Sequence, residues 1–108
     1  MNDVLKALNE VILKRKREPL EGSYTCYLFE KGLDKILKKC GEECTETVIA
    51  AKNGSPEEIV NESCDLIYHL LVMLAACEVP LESVIEELAR REQKQRNLKV
   101  MKTVDKNT

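Results

Sequence analysis

Five acids in two short stretches carry the chemistry of this sequence. Glu42, Glu43 and Glu46 stand in Lys39-Cys40-Gly41-Glu42-Glu43-Cys44-Thr45-Glu46, and Glu62 and Asp65 in Glu62-Ser63-Cys64-Asp65. Both stretches read as helix, where side chains three or four residues apart share a face. Glu43 and Glu46 therefore point the same way, with Glu42 one turn before Glu46, and Glu62 and Asp65 repeat the spacing. Between the stretches, Asn53-Gly54-Ser55-Pro56 reads as a turn that folds the second helix back antiparallel on the first. Four carboxylates then converge from facing helices. Such a cluster repels itself strongly unless a cation occupies it, and a hard divalent ion with oxygen ligands is the natural occupant.

Charged residues make up 33% of the chain, so chance Glu-x-x-Glu pairs are expected on any solvated helix. Taken alone, Glu42-Glu43-x-x-Glu46 would read as solvated surface. The second pair weighs more. Asp65 is a poor helix former, yet it sits mid-helix, directly before the apolar run that begins Leu66-Ile67. An acid at the edge of a buried helix needs a partner or an ion. His69, one turn after Asp65, is a candidate for supporting the site from behind or for touching substrate. A ferritin-like di-iron bundle wants Glu-x-x-His on two helices, and this chain has one histidine.

The elements that must position these residues are helices. Leu, Ile, Val and Ala recur at helical spacing, aromatics are 4%, and Gly and Pro are few, so an all-α antiparallel bundle of four to five helices is expected. Asp3 caps a first helix to about Arg17, with Val4, Leu5, Leu8, Val11 and Ile12 as its core stripe. A short helix from Cys26 to Lys31 ends at Gly32, and a long one from Leu33 to about Lys52 carries the first acids. Its core positions are Leu33, Ile36, Leu37, Cys40, Cys44, Val48 and Ala51, while Lys35, Lys39, Glu42, Glu43 and Glu46 share another face. Ser55, Pro56 and Glu58 form a capping box that opens a helix to about Ala76, with Ile59, Ser63, Ile67, Leu70, Leu71 and Leu74 as its core. A last helix runs from Leu81 to about Gln93 on Leu81, Val84, Ile85 and Leu88. Residues 1–94 form one domain, and 95–108 read as a mobile polar tail.

At 108 residues the chain is one modest domain. Its net charge of −2 argues against non-specific nucleic-acid binding. The basic run Lys14-Arg15-Lys16-Arg17 reads as a solvated helix end that suits the macrodipole. The five cysteines, with no Cys-x-x-Cys among them, read as small buried hydrophobes in a reducing cytoplasm. No signal peptide and no apolar run of membrane length is evident.

Glu42-Glu43-x-x-Glu46, fifteen residues, then Glu62-x-x-Asp65 is similar to the signature of the all-α nucleoside-triphosphate pyrophosphatase (MazG-like) superfamily. Within it, Gly22-Ser23-Tyr24-Thr25, Lys38-Lys39-x-Gly41-Glu42-Glu43 and Asp65-Leu66-x-Tyr68-His69-Leu70 resemble the phosphoribosyl-ATP pyrophosphatase family of histidine biosynthesis. The resemblance covers about residues 1 to 92. It implies hydrolysis of phosphoribosyl-ATP to phosphoribosyl-AMP and pyrophosphate, dependence on Mg²⁺ (with Mn²⁺ as a substitute), and a homodimer. It also implies Glu43, Glu46, Glu62 and Asp65 as metal ligands, Glu42 as a further ligand or as the group that orients water, and Lys35, Lys38 and Lys39 as phosphate binders. Neither nucleic acid nor membrane is an implied partner. Two other readings remain: a house-cleaning pyrophosphatase for non-canonical nucleotides, which uses the same acids, and a non-catalytic helical interaction module.

Overall fold

The structure, a computed structural model, describes residues 2–94. Five helices follow one another: α1 (Asn2–Arg17), α2 (Tyr24–Lys31), α3 (Leu33–Asn53), α4 (Pro56–Ala76) and α5 (Leu81–Lys94). There is no strand among the described residues, and the all-α expectation holds. The tail from residue 95, expected to be mobile, lies outside the described residues.

Local chemistry sets the boundaries. The Ser23 hydroxyl accepts from the Cys26 amide at 3.2 Å and caps α2. Gly32, at φ +98°, both ends α2 and begins α3, so two helices meet at one residue. Ser55 and Pro56 open α4 as the capping box requires, with the Glu58 amide donating to Ser55 Oγ at 3.4 Å. At the far end of α4 the chain reverses through Glu78, the one non-glycine with positive φ (58°) among the described residues. Its amide bonds Ala75 O at 3.2 Å, and that of Val79 bonds Leu74 O at 2.9 Å. A left-handed conformation strains any residue with a Cβ. Glu78→Gly is therefore expected to raise stability by about 0.5–1 kcal/mol, which a thermal melt reads as a rise of several degrees.

α3 and α4 form a long antiparallel hairpin, the most extensive helix pairing in the molecule. α1 lies against the C-terminal half of α4, where Lys16 Nζ donates to the Ala75 carbonyl at 2.7 Å. That bond gives one member of the basic run a structural task at a helix C-terminus. α2 packs on the N-terminal half of α3. The core, drawn from every helix, consists of Ile12, Leu28, Ile36, Leu71, Val72, Ala75 and Leu81.

This cover stops short of the hairpin's tip, and several expected core residues lie outside it. Of these, Val48 is 64% exposed, and Ile67 and Leu70 are also exposed; so are Val60, at 61%, and Ile49, which are not among the expected core positions. On α3 the inward line is Ile36, Cys40, Glu43, Thr47 and Ala50, whereas Leu33, Leu37, Cys44, Val48 and Ala51 form an exposed strip. Val4 and Val11 on α1 and Leu88 on α5 face outward too. The cysteine expectation fails in part for the same reason: Cys44, Cys64 and Cys77 are exposed, and only Cys26 and Cys40 are half-buried. Apolar spacing marks a face that is covered, but not what covers it.

α4 also amends the expectation about apolar length. With 21 residues and a mean hydropathy of 1.4 over its most apolar stretch, it is long and apolar enough to cross a membrane. Its acids instead meet those of α3, and its C-terminal half fills the core.

Candidate active site

Glu43 lies on the inward face of α3, one turn after Cys40 and one turn before Thr47. Both neighbours bridge to the backbone of α4. Cys40 Sγ donates to His69 O at 3.3 Å; Thr47 Oγ1 donates to Glu43 O at 2.7 Å and reaches Glu62 O at 3.2 Å. These bridges bracket Glu43 and set its height against Glu62 and Asp65.

One oxygen from each of Glu43, Glu62 and Asp65 lies within 4.8 Å of the other two. Glu43 is only 6% exposed. Its Oε2 and that of Glu62 are buried with no hydrogen-bond partner. A buried carboxylate oxygen without a donor is costly, and here there are two, on two members of the same trio. Glu46 comes within hydrogen-bonding reach of both Glu43 and Glu62. Burial pushes the Glu43 carboxyl above its ordinary range, and the Glu46 and Asp65 carboxylates add to the effect. Glu62 is pushed the same way, chiefly by its hydrogen-bonding contact with Glu46 and then by burial.

These donors fit a hard divalent ion. An ion there would offset the charge of the gathered carboxylates.

Of the other residues expected at the site, Lys39 is brought in. Its Nζ lies 3.7 Å from Glu43 Oε1 and 3.5 Å from Glu42 Oε1. Burial works against its charge, but the Tyr24 phenol and the two glutamates outweigh that and hold its pKa above the ordinary value. Glu42 stays on the exposed rim, paired with Lys39 and outside the trio. Lys35 is half-buried one turn before Lys39. Lys38 is exposed, about 100° round the helix on the side away from Glu43. Among the described residues, the ion pairs made by these acids go to Lys39 alone.

His69 is 5% exposed, and both its ring nitrogens are engaged. Nδ1 donates to Asp65 O at 2.7 Å, which leaves Nε2 to accept from the Tyr24 hydroxyl at 3.0 Å. The histidine thus fixes Tyr24 from behind. Tyr24 feels both Lys39 and Glu43, and burial raises its phenol above the ordinary value, with Lys39 opposing. Thr25 hydrogen-bonds the Tyr68 hydroxyl beside it. Sequence reasoning assigned no role to Tyr24, Tyr68 or Thr47. Tyr24 lay within a quoted motif, and Thr47 falls on the line of Ile36, Cys40 and Glu43, the one signal that marks it.

Residues 5–92 match the family described as phosphoribosyl-ATP pyrophosphohydrolase. Three curated relatives bear the name phosphoribosyl-ATP pyrophosphatase. That of Listeria welshimeri is 59% identical over 94% of this chain and 98% of its own length. That of Bacillus mycoides is 57% identical over 84% and 85%. That of Clostridium acetobutylicum is 53% identical over 91% and 89%.

Proposed function

Since the chain belongs to the phosphoribosyl-ATP pyrophosphohydrolase family, we propose that it hydrolyses phosphoribosyl-ATP to phosphoribosyl-AMP and pyrophosphate, a step of histidine biosynthesis carried out in the cytoplasm. The observation that carries the reading is the trio of Glu43, Glu62 and Asp65, two of whose members have a buried oxygen without a partner.

Glu43, Glu46, Glu62 and Asp65 would hold Mg²⁺ or Mn²⁺. When bound, the ion neutralises phosphate oxyanions and makes water a better nucleophile. Lys39 takes charge on a phosphate oxygen beside the acids, in the manner of cationic clamps on transferring phosphoryl groups, and Lys35 extends that edge by one turn. Glu42, exposed and steadied by Lys39, is placed to orient the attacking water and receive its proton. His69 holds Tyr24 in place through its hydroxyl. No side chain needs to form a covalent bond to phosphorus.

Pyrophosphate release from phosphoribosyl-ATP, with Mg²⁺ and with chelator, tests the reading. Turnover that depends on the metal and exceeds that of dUTP and dCTP by orders of magnitude is expected. Equal turnover of the three would make the protein a general nucleotide house-cleaner, and none at all would remove the enzymatic reading.

The reading includes a homodimer, supported by the exposed apolar tip of the α3–α4 hairpin. Val48, Ile49 and Val60 near that tip, and Ile67 farther along α4, are all exposed, and apolar side chains left uncovered by the chain itself are a common mark of an interface between copies. Light scattering at micromolar concentration is expected to return twice the chain mass of 12.3 kDa, and Val60→Glu to shift it toward the monomer. A single-chain mass for the unaltered protein would sink this.

A further inference from the structure

A cavity of about 560 Å³ opens between the α1–α2 loop and the outer side of α2. That volume falls within the range of about 300–1,000 Å³ usual for small-molecule sites. Leu20, Glu21, Tyr24, Tyr27 and Glu30 are among its lining residues. Tyr24 and Tyr27 give it an aromatic wall: their rings are within 22° of parallel, with centroids 6.1 Å apart. Both are exposed, although an aromatic side chain of this size is normally covered. The Tyr27 ring is steadied by Lys31, whose Nζ lies 5.7 Å from its centroid.

The charge of the lining selects the ligand. Glu21 and Glu30 are the acidic residues of its lining, and Lys31 lies beside it over the Tyr27 ring. Two carboxylates against one ammonium disfavour a phosphate here. A neutral aromatic group with amino and hydroxyl donors would find stacking surface and acceptors. Position selects further. Tyr24 lines this cavity and also belongs to the acid site, since its hydroxyl bonds His69 Nε2 at 3.0 Å and His69 bonds the carbonyl of Asp65. Tyr24 is thus the wall that the cavity shares with the surroundings of the acids.

We propose that the cavity is the subsite for the purine nucleoside of the substrate. The base stacks on the wall formed by Tyr24 and Tyr27, and Glu21 and Glu30 accept from its exocyclic nitrogen and the ribose hydroxyls. The assignment rests on phosphoribosyl-ATP as substrate, so the test includes an arm that does not need turnover. Adenosine, which carries no phosphate, is titrated into metal-free protein and followed by ligand-observed NMR. Tyr27→Ala is expected to weaken its binding roughly tenfold, in keeping with the strength of base–aromatic stacking, and Tyr27→Phe, which keeps the ring, to restore it. Ribose 5-phosphate is expected not to displace it. With phosphoribosyl-ATP, Tyr27→Ala should raise KM by about the same factor and leave kcat within about threefold. Tyr27 is on the outer side of a helix, and unchanged helicity of the variant confirms that its fold is intact. Adenosine binding that ignores Tyr27→Ala, or that ribose 5-phosphate displaces, overturns the subsite. If phosphoribosyl-ATP is not turned over while adenosine still binds through Tyr27, the cavity assignment stands and the substrate assignment falls.

Discussion

Glu43→Gln is expected to reduce pyrophosphate release by about a thousandfold or more and to leave the metal-free protein at least as stable as before. Ordinary catalytic substitutions do not combine these effects with a third, the loss of stabilisation by Mg²⁺. The reason lies in the charges. Glu43 is buried on the inward face of α3 with Glu46, Glu62 and Asp65 around it, and one of its oxygens has no partner. Its carboxyl is raised above the ordinary 4.5, and Glu62 is raised with it. The folded protein therefore keeps protons that the unfolded chain has already released. For these two groups, stability is fullest below about pH 4.5 and is lost as pH rises through the folded-state values. Glutamine removes the charge and keeps the shape, so the melting temperature of the variant should exceed that of the native protein by more at pH 7 than at pH 4.5. Mg²⁺ at a hundred times its dissociation constant should add about 2.7 kcal/mol to the native protein, a shift of several degrees, and almost nothing to the variant. Acids that merely face solvent would give equal melting shifts in both proteins at matched ionic strength.

Lys39→Ala should lower kcat/KM by about a hundredfold, since removal of a positive group from a transferring phosphate commonly costs that much. Its ammonium is also the only cation paired with Glu43 among the described residues. Its removal should therefore push the Glu43 carboxyl still higher and move the acid limb of the pH–rate profile upward. Lys39→Arg keeps the charge and should recover part of the rate. Lys94→Ala, at the exposed end of α5, serves as a control and should change nothing. Small and equal losses from Lys39→Ala and Lys94→Ala would mean that the basic edge of α3 is ordinary surface.

How much of this was legible beforehand depended on the kind of signal. Ser55, Pro56 and Glu58 announced the start of α4 because a capping box is local chemistry, and Gly54 marked the hairpin turn for the same reason. The convergence of Glu43, Glu62 and Asp65 was legible because helix periodicity and one turn fix it; Glu46, expected with them, is exposed and stands outside the trio. Illegible was the direction each face takes. Val48 and Cys44 were expected in the core and point out, whereas Glu43, expected on a different face from theirs, lies on the buried line with Ile36 and Cys40. Periodicity ranks positions around a helix but does not say which side meets the chain's own core. The link from Asp65 through His69 to Tyr24 was hidden for another reason. It joins residues 45 apart in sequence, and no local pattern announces such a contact.

The three tyrosines of the chain are Tyr24, Tyr27 and Tyr68, and there is no tryptophan. Neighbouring ring centroids among them lie 6.1 and 6.2 Å apart, and the Tyr24 hydroxyl is bound to His69. The ultraviolet emission and near-ultraviolet dichroism of this protein therefore arise almost wholly from one corner of the fold. An optical melt watched in that band follows the docking of α2 on α3 and α4, whereas the far-ultraviolet signal follows the helices as a whole. The chain carries its own spectroscopic label, already installed beside the carboxylates.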